Sequence, residues 1–188
     1  MKNTKIISAF PGCGKTYCFN KYKDSDIKIL DSDSSKFSWI KDDKGNNTKE
    51  RNPEFPENYI NHIKANIGKV DIIFVSSHDV VRRALKDNDL NYYMIYPDIN
   101  CKEEYITRYR NRGNDEKFIS FIDKNFNSFI EDISKEEFPH KITLMSNETI
   151  DDVIKYGYCG NMVSHMAWNC HGCPITCSDC DFSNYIVK

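Results

Sequence analysis

The residues whose types and spacing point most directly to chemistry stand in a row: Ala9-Phe10-Pro11-Gly12-Cys13-Gly14-Lys15-Thr16. Gly12 and Gly14 free the main chain for turns that aim several N–H groups at one point. Lys15 adds a mobile positive charge, and the Thr16 hydroxyl is a group that can ligate magnesium. The spacing is that of a Walker A loop, with Ala9 where the first glycine usually stands. Such a loop grips the phosphates of a nucleotide, helped by the partial positive charge of the helix that leaves it. Pro11, Gly12, Cys13, Gly14, Lys15, Thr16 and Tyr17 are therefore candidate contacts for ATP, and Thr16 for its magnesium. A thiol at a helix start can be acidified, but the plainer reading of Cys13 is a loop position that tolerates many side chains.

Charged residues further along could serve transfer of a phosphoryl group. That reaction needs positive charge around three equatorial oxygens and an acceptor held in line. Asp31 and Asp33 follow a short apolar run, where a carboxylate could hold magnesium through water or take a proton from an acceptor hydroxyl. Asp33, farther along, is favoured over Asp31; the competing reading is a cap or turn, because Asp31-Ser32-Asp33-Ser34-Ser35 is good capping chemistry. Arg108, Arg110 and Arg112 cluster before Gly113, a candidate hinge, and Arg108 and Arg112 share one helical face. Glu104 lies four residues before Arg108, so that pair could instead be a surface salt bridge. Lys36, Arg51, Arg82 and Arg83 are candidate acceptor contacts, with a solvated face as the alternative for each. His78, after Ser76 and Ser77, could be a ligand or a capping neighbour, and Trp39, Phe55 and Tyr59 could stack an acceptor base or simply pack. A nucleotide acceptor would need the arginines, a hydroxyl acceptor the carboxylate; both are present.

The elements that must position these groups follow from periodicity. Residues 5–9 and 27–31 read as strands, and 14–23, directly after the glycines, as a helix. Residues 41–53 are polar and turn-rich and read as a loop. Pro56 opens a helix with Tyr59, Ile60, Ile63 and Ile67 on one face and Gly68 as its stop. Val70–Val75 reads as a fully buried strand, with Ser77 capping a helix that carries Val80, Val81, Ala84 and Leu85. A strand at 92–96 precedes a helix at 102–112. Asn114 caps a helix with the clearest period in the chain: Phe118, Phe121, Ile122, Phe126, Phe129, Ile130 and Ile133. A strand at 142–145 and a helix at 147–156 complete the series. Strands alternating with helices predict an α/β fold, a parallel sheet covered on both faces. The Asp31 and Asp33 carboxylates would then stand at the strand edge where ligands bind in such sheets.

The loop, the Asp31-Ser32-Asp33 segment and the arginine-rich helix together resemble a P-loop kinase of the nucleoside monophosphate kinase type, close to the small nucleoside or nucleotide kinase-like proteins of tailed bacteriophages. The resemblance spans about residues 3–156 and implies a three-layer P-loop NTPase fold on a five-stranded parallel sheet. It implies a kinase domain over 1–156 with a mobile lid around 100–116. It also implies ATP and Mg²⁺ as cofactors, a (deoxy)nucleoside monophosphate as phosphoryl acceptor, and Lys15, Asp33, Arg108 and Arg112 as the catalytic set. Asp31, Asp33, Lys36, Arg51 and Arg82 would face the acceptor. A kinase for a hydroxyl acceptor, a nucleoside or a polynucleotide 5′ end, and a non-catalytic ATP-dependent binding module are the alternatives.

The chain has 188 residues with a net charge of -2, so a protein whose main task is coating nucleic acid is disfavoured, and no run is long enough to span a membrane. The apolar start, Ile6 to Phe10, is too short for an export signal, so the expected compartment is a reducing cytoplasm, a host's if the chain is phage-encoded. The composition changes at residue 157. From there to Lys188 only Asp179, Asp181 and Lys188 are charged, and five of the eight cysteines gather. Cys170, Cys173, Cys177 and Cys180 have paired metal-ligand spacing, although three residues between the pairs make a tight chelate and Pro174 breaks any helix through them. Structural zinc, an iron–sulfur cluster and free thiols are the readings for this Cys-rich tail; its metal would staple a segment with little else to order it.

Overall fold

The computed structural model describes residues 3–156. The tail from 157 on, with Cys170, Cys173, Cys177 and Cys180, lies outside the described residues. The element order is β1 (Lys5–Ala9), α1 (Lys15–Lys21), β2 (Ile29–Asp31), β3 (Trp39–Lys41), β4 (Asn47–Arg51), α2 (Glu57–Asn66), β5 (Ile72–Ser76), α3 (Asp79–Asp87), β6 (Tyr93–Pro97), α4 (Lys102–Asn111), α5 (Glu116–Lys135), β7 (His140–Leu144) and α6 (Ile150–Tyr156). Five strands form a parallel sheet in the order β2-β5-β1-β6-β7, an α/β architecture compatible with three layers. β3 and β4 form a separate antiparallel pair. None of the described helices is long and apolar enough to cross a membrane.

Position in the sheet explains the strand sequences. β5 pairs with β1 on one side and β2 on the other, and Ile72, Ile73, Phe74 and Val75 are all buried. A parallel strand covered on both faces reads as an unbroken apolar run, which is what this segment is. Ala9 pairs with Ser76 and Asp31 with Phe74, so the ends of β1, β2 and β5 come out at one edge. The glycine-rich loop, Asp33 and His78 all follow from that edge. The chain leaving β1 also stands where the strand order reverses, because β2 and β5 lie to one side and β6 to the other.

Two compact units divide the chain. The first comprises residues 3–11, Lys15–Met94 and Glu137–His140. Its core is built from Tyr59, Ile60 and Ile63 of α2, the four apolar residues of β5, and Val81 and Leu85 of α3. Burying each such isoleucine contributes roughly 1.5–3 kcal/mol. The second comprises Gly12–Gly14, Ile95–Glu136 and residues 141–156. There, Tyr105, Ile106 and Tyr109 of α4 meet Ile119, Ile122, Phe126, Ile130 and Ile133 of α5 in its core. Aromatic contacts join the two helices, Tyr105 to Phe126 at 6.0 Å and Tyr109 to Phe118 edge-on at 5.3 Å.

The structure corrects four details of the sequence reading. Residues 41–53 are not simply a loop: Trp39 pairs with Arg51 and Lys41 with Asn47 in a hairpin. Its turn is closed by the Asp42 carboxylate, which accepts from the Lys44 and Asn46 amides. β4 carries no apolar alternation, since all its residues but Thr48 are exposed, so nothing in its pattern announces a strand. His78, not Ser77, occupies the cap of α3, without a side-chain bond. Asp115, not Asn114, caps α5 by accepting from the Phe118 amide at 2.9 Å. On α5, Ile119 is in the core while Phe121 is 55% exposed. Isoleucine and phenylalanine at neighbouring positions make the stripe ambiguous by one residue until a packing partner is known.

Candidate functional site

The 9–16 loop leaves a buried strand and enters α1 at Lys15. Both glycines have positive φ, +85° at Gly12 and +100° at Gly14, a region that L side chains rarely adopt. The Lys15 ammonium turns back on the loop and donates to the Ala9 carbonyl at 2.6 Å. Thr16 and Tyr17 are exposed, Tyr17 at 58%.

In the first unit, Asp31 is a carboxylate whose charge Lys15 influences. Its side chain is half-buried, and burial pushes its pKa up against the pull of Lys15; Asp33 raises it further, while Lys36 and a hydrogen bond with Thr16 lower it. Asp33 is exposed and caps a short 3₁₀ turn at Ser34–Lys36, accepting from the Ser35 amide at 2.9 Å and the Ser35 hydroxyl at 2.8 Å. The two carboxylates differ in their surroundings. Asp31 is the one that senses Lys15 and Thr16, and Asp33 does the capping that its neighbours suggested. The physical reason is register: Asp31 is the last residue of β2, so its side chain shares the edge with the start of α1, whereas Asp33 lies beyond the strand, where the chain has begun to turn.

Asp33 also borders a cavity of about 620 Å³ in this unit, with Ser35, Trp39, Arg51, Phe55 and His78 among its walls. The hairpin supplies one wall, where the Arg51 guanidinium stacks 3.9 Å from the Trp39 ring centre. Phe55 stacks on Tyr59, their centroids 6.2 Å apart. Tyr59 itself is fully buried and donates to the Ser32 carbonyl at 2.6 Å, so it packs and does not face a ligand. Ser76 lines the same cavity, and its hydroxyl is buried without a hydrogen-bond partner among the described residues. His78 has its pKa lowered, by partial burial first and by Lys15, Arg51 and Arg82, against the opposing pull of Asp79.

The remaining basic candidates differ. Arg82 is 8% exposed and its guanidinium donates to the Ser77 carbonyl, so it braces the turn between β5 and α3. Arg83 is exposed and paired with Asp79 at 2.6 Å. Lys36 is exposed beside Asp33.

In the second unit, α4 closes on the tip of the loop. A Cβ added to Gly12 would stand 3.1 Å from ring carbons of both Tyr105 and Tyr109. Cys13 is fully buried, its sulfur 3.3 Å from the Tyr105 hydroxyl, and its carbonyl accepts from the Ile150 amide at 2.9 Å. Arg108 donates to the Gly12 carbonyl and to the Glu148 carbonyl, each at 3.1 Å, and pairs with Glu104 at 2.5 Å. The salt bridge visible in the sequence therefore exists, but it is only a quarter exposed and serves to aim Arg108 at the loop. Burial works against the charge on Glu104, yet hydrogen bonds from Ser146, the Asn147 amide and Arg108 hold its pKa below the ordinary range. Arg110 and Arg112 are exposed.

No chemical motif in the sequence singles out Tyr105, Tyr109 or the 145–149 turn. The two tyrosines flank Arg108 at helical spacing, a signal that could mark one face of α4 but not what that face touches.

Among the described residues, no three His, Cys, Asp or Glu side chains gather into a group able to hold a metal ion. Magnesium accompanying a nucleotide here would rest on Thr16, one carboxylate and the phosphates. The donors fit that hard cation: a hydroxyl and the Asp31 carboxylate share a hydrogen bond at the loop's exit. No family model matches this chain, and no curated protein matches it.

Proposed function

We propose that this protein is a P-loop phosphotransferase that moves the γ-phosphoryl group of ATP to a small nucleotide, a (deoxy)nucleoside monophosphate. The observation that carries the reading is the loop with its immediate surroundings. Two glycines at positive φ precede Lys15 and Thr16, and Asp31 is electrostatically coupled to both. Lys15 would exchange the Ala9 carbonyl for phosphate oxygens, a short movement of a flexible side chain. Thr16 and Asp31 would hold magnesium, which neutralises charge on the phosphate oxygens as the bond breaks. Arg108, aimed at Gly12 by Glu104, would add positive charge at the tip of the loop, with Arg112 as a second contributor from the end of α4. The acceptor would occupy the cavity beside the hairpin, its base against Trp39 and Phe55 and its charge near Arg51.

A second reading, a hydroxyl acceptor, is favoured by one observation: Asp33 lines that cavity with an exposed carboxylate. A base is useful there for a hydroxyl and superfluous for a phosphate already ionised. A coupled ADP-release assay across nucleoside monophosphates, nucleosides and 5′-hydroxyl oligonucleotides separates the two. In the first reading Asp33→Asn keeps most of its turnover; in the second it loses turnover while ATP still binds. Folded protein with no acceptor-dependent release of ADP in any arm would overturn both and leave an ATP-dependent binding module.

A further inference from the structure

We infer that Tyr105 is a positioning residue for the glycine-rich loop, acting through Cys13 and not by touching a ligand. The inference rests on reading residues 9–16 as the nucleotide-binding loop. Cys13 sits between the two positive-φ glycines, so its side chain is a lever on the tip of the loop. That lever is held. Its sulfur lies 3.3 Å from the Tyr105 hydroxyl and 3.9 Å from the Ile95 carbonyl at β6. With the thiol donating to Ile95, the Tyr105 hydroxyl donates to the sulfur, and a chain of two hydrogen bonds runs from α4 through the loop to the sheet.

The main chain of the same residue is tied independently, its carbonyl accepting from Ile150 at the start of α6. Tyr105 is 1% exposed, its ring lies against Gly12 and Phe126, and the Arg108 guanidinium stands over it 4.7 Å from the ring centre. The ring is thus fixed by packing, and that packing sets its hydroxyl against the Cys13 sulfur. A loop that must present several N–H groups at once gains from being held in that geometry before its ligand arrives, because ordering it on binding would lower affinity.

Tyr105→Phe keeps the ring and removes only the hydroxyl, so packing around Gly12 survives. Two measurements test it. The first needs no nucleotide: amide hydrogen exchange at residues 12–14 should quicken in Tyr105→Phe and in Cys13→Ala, and stay at the parent rate in Cys13→Ser, whose hydroxyl can replace the thiol. The second is calorimetric titration with ATP and Mg²⁺. Affinity should fall roughly three- to tenfold in Tyr105→Phe, the usual size of one lost hydrogen bond. It should fall equally in Cys13→Ala and no further in the double variant, and in Tyr105→Phe kcat at saturating ATP should stay near the parent value. Parent-like exchange in Tyr105→Phe, or losses that add in the double variant, would overturn the positioning role. A parent protein that ignores ATP while its loop exchange still responds to Tyr105→Phe would overturn the nucleotide reading and leave the clamp standing.

Discussion

Replacing Gly12 by alanine probes the contact on which the loop's shape depends. Two penalties add at this position. Its φ of +85° lies in the left-handed region, where a side chain brings a penalty of roughly 1–2 kcal/mol. The new methyl would also stand 3.1 Å from ring carbons of Tyr105 and Tyr109, which are 1% and 0% exposed and have nowhere to retreat. Overpacking of this kind costs about 1–3 kcal/mol. The expected destabilisation is therefore roughly 2–5 kcal/mol, a large share of the ~5–15 kcal/mol that holds a domain together. Gly113→Ala is the matched control, because Gly113 has a φ of +73° and no atom within 4 Å of an added Cβ. It should show the backbone penalty alone, about 1–2 kcal/mol. Urea unfolding followed by circular dichroism gives both values, and their difference isolates the tyrosine contact. Equal losses, within about 0.5 kcal/mol, would refute the claim that α4 packs against the loop and would take the Arg108 arrangement with it.

Three further outcomes are expected. Burial raises the pKa of Asp31 above its unfolded value of 3.8, so its contribution to stability is full below that pH and is lost as pH rises through the higher folded value. Asp31→Asn should therefore melt at a higher temperature than the parent at pH 7, with the gain vanishing below about pH 3.8, while Mg²⁺-dependent turnover falls; a lower melting point at pH 7 would contradict this. His62 and His78 have pKa values lowered from 6.5, both by burial first, with Lys36 adding at His62. Their stabilising share is present above pH 6.5 and lost as pH falls through the depressed values, so a His62→Gln/His78→Gln variant should show a flatter fall in melting temperature between pH 7 and 5. Arg51→Ala removes a cation–π contact worth about 0.5–1 kcal/mol at an exposed site, so the fold should persist while the KM for the acceptor rises roughly tenfold and that for ATP does not; a parallel rise in both would place Arg51 elsewhere.

The sequence by itself determined the elements whose signal is local. The strand–glycine–helix succession at residues 5–21, the unbroken apolar run of β5 and the heptad-like stripe of α5 each follow from backbone preference and periodicity, and all stand in the structure within a few residues. So does the parallel sheet, because alternating strands and helices leave little other choice. The different surroundings of Asp31 and Asp33 came from tertiary structure, since Asp31 ends β2 against β5 while Asp33 lies beyond the strand and caps the next turn. Only it turned the polar 39–51 segment into a hairpin, whose strands carry no apolar alternation and are instead joined through Asp42 and the stacking of Arg51 on Trp39. Only it brought Tyr105, Tyr109 and Arg108 onto Gly12 and Cys13, more than ninety positions earlier in the chain. Contacts at such separation depend on how whole elements stack, and no preference of a residue for its neighbours encodes that.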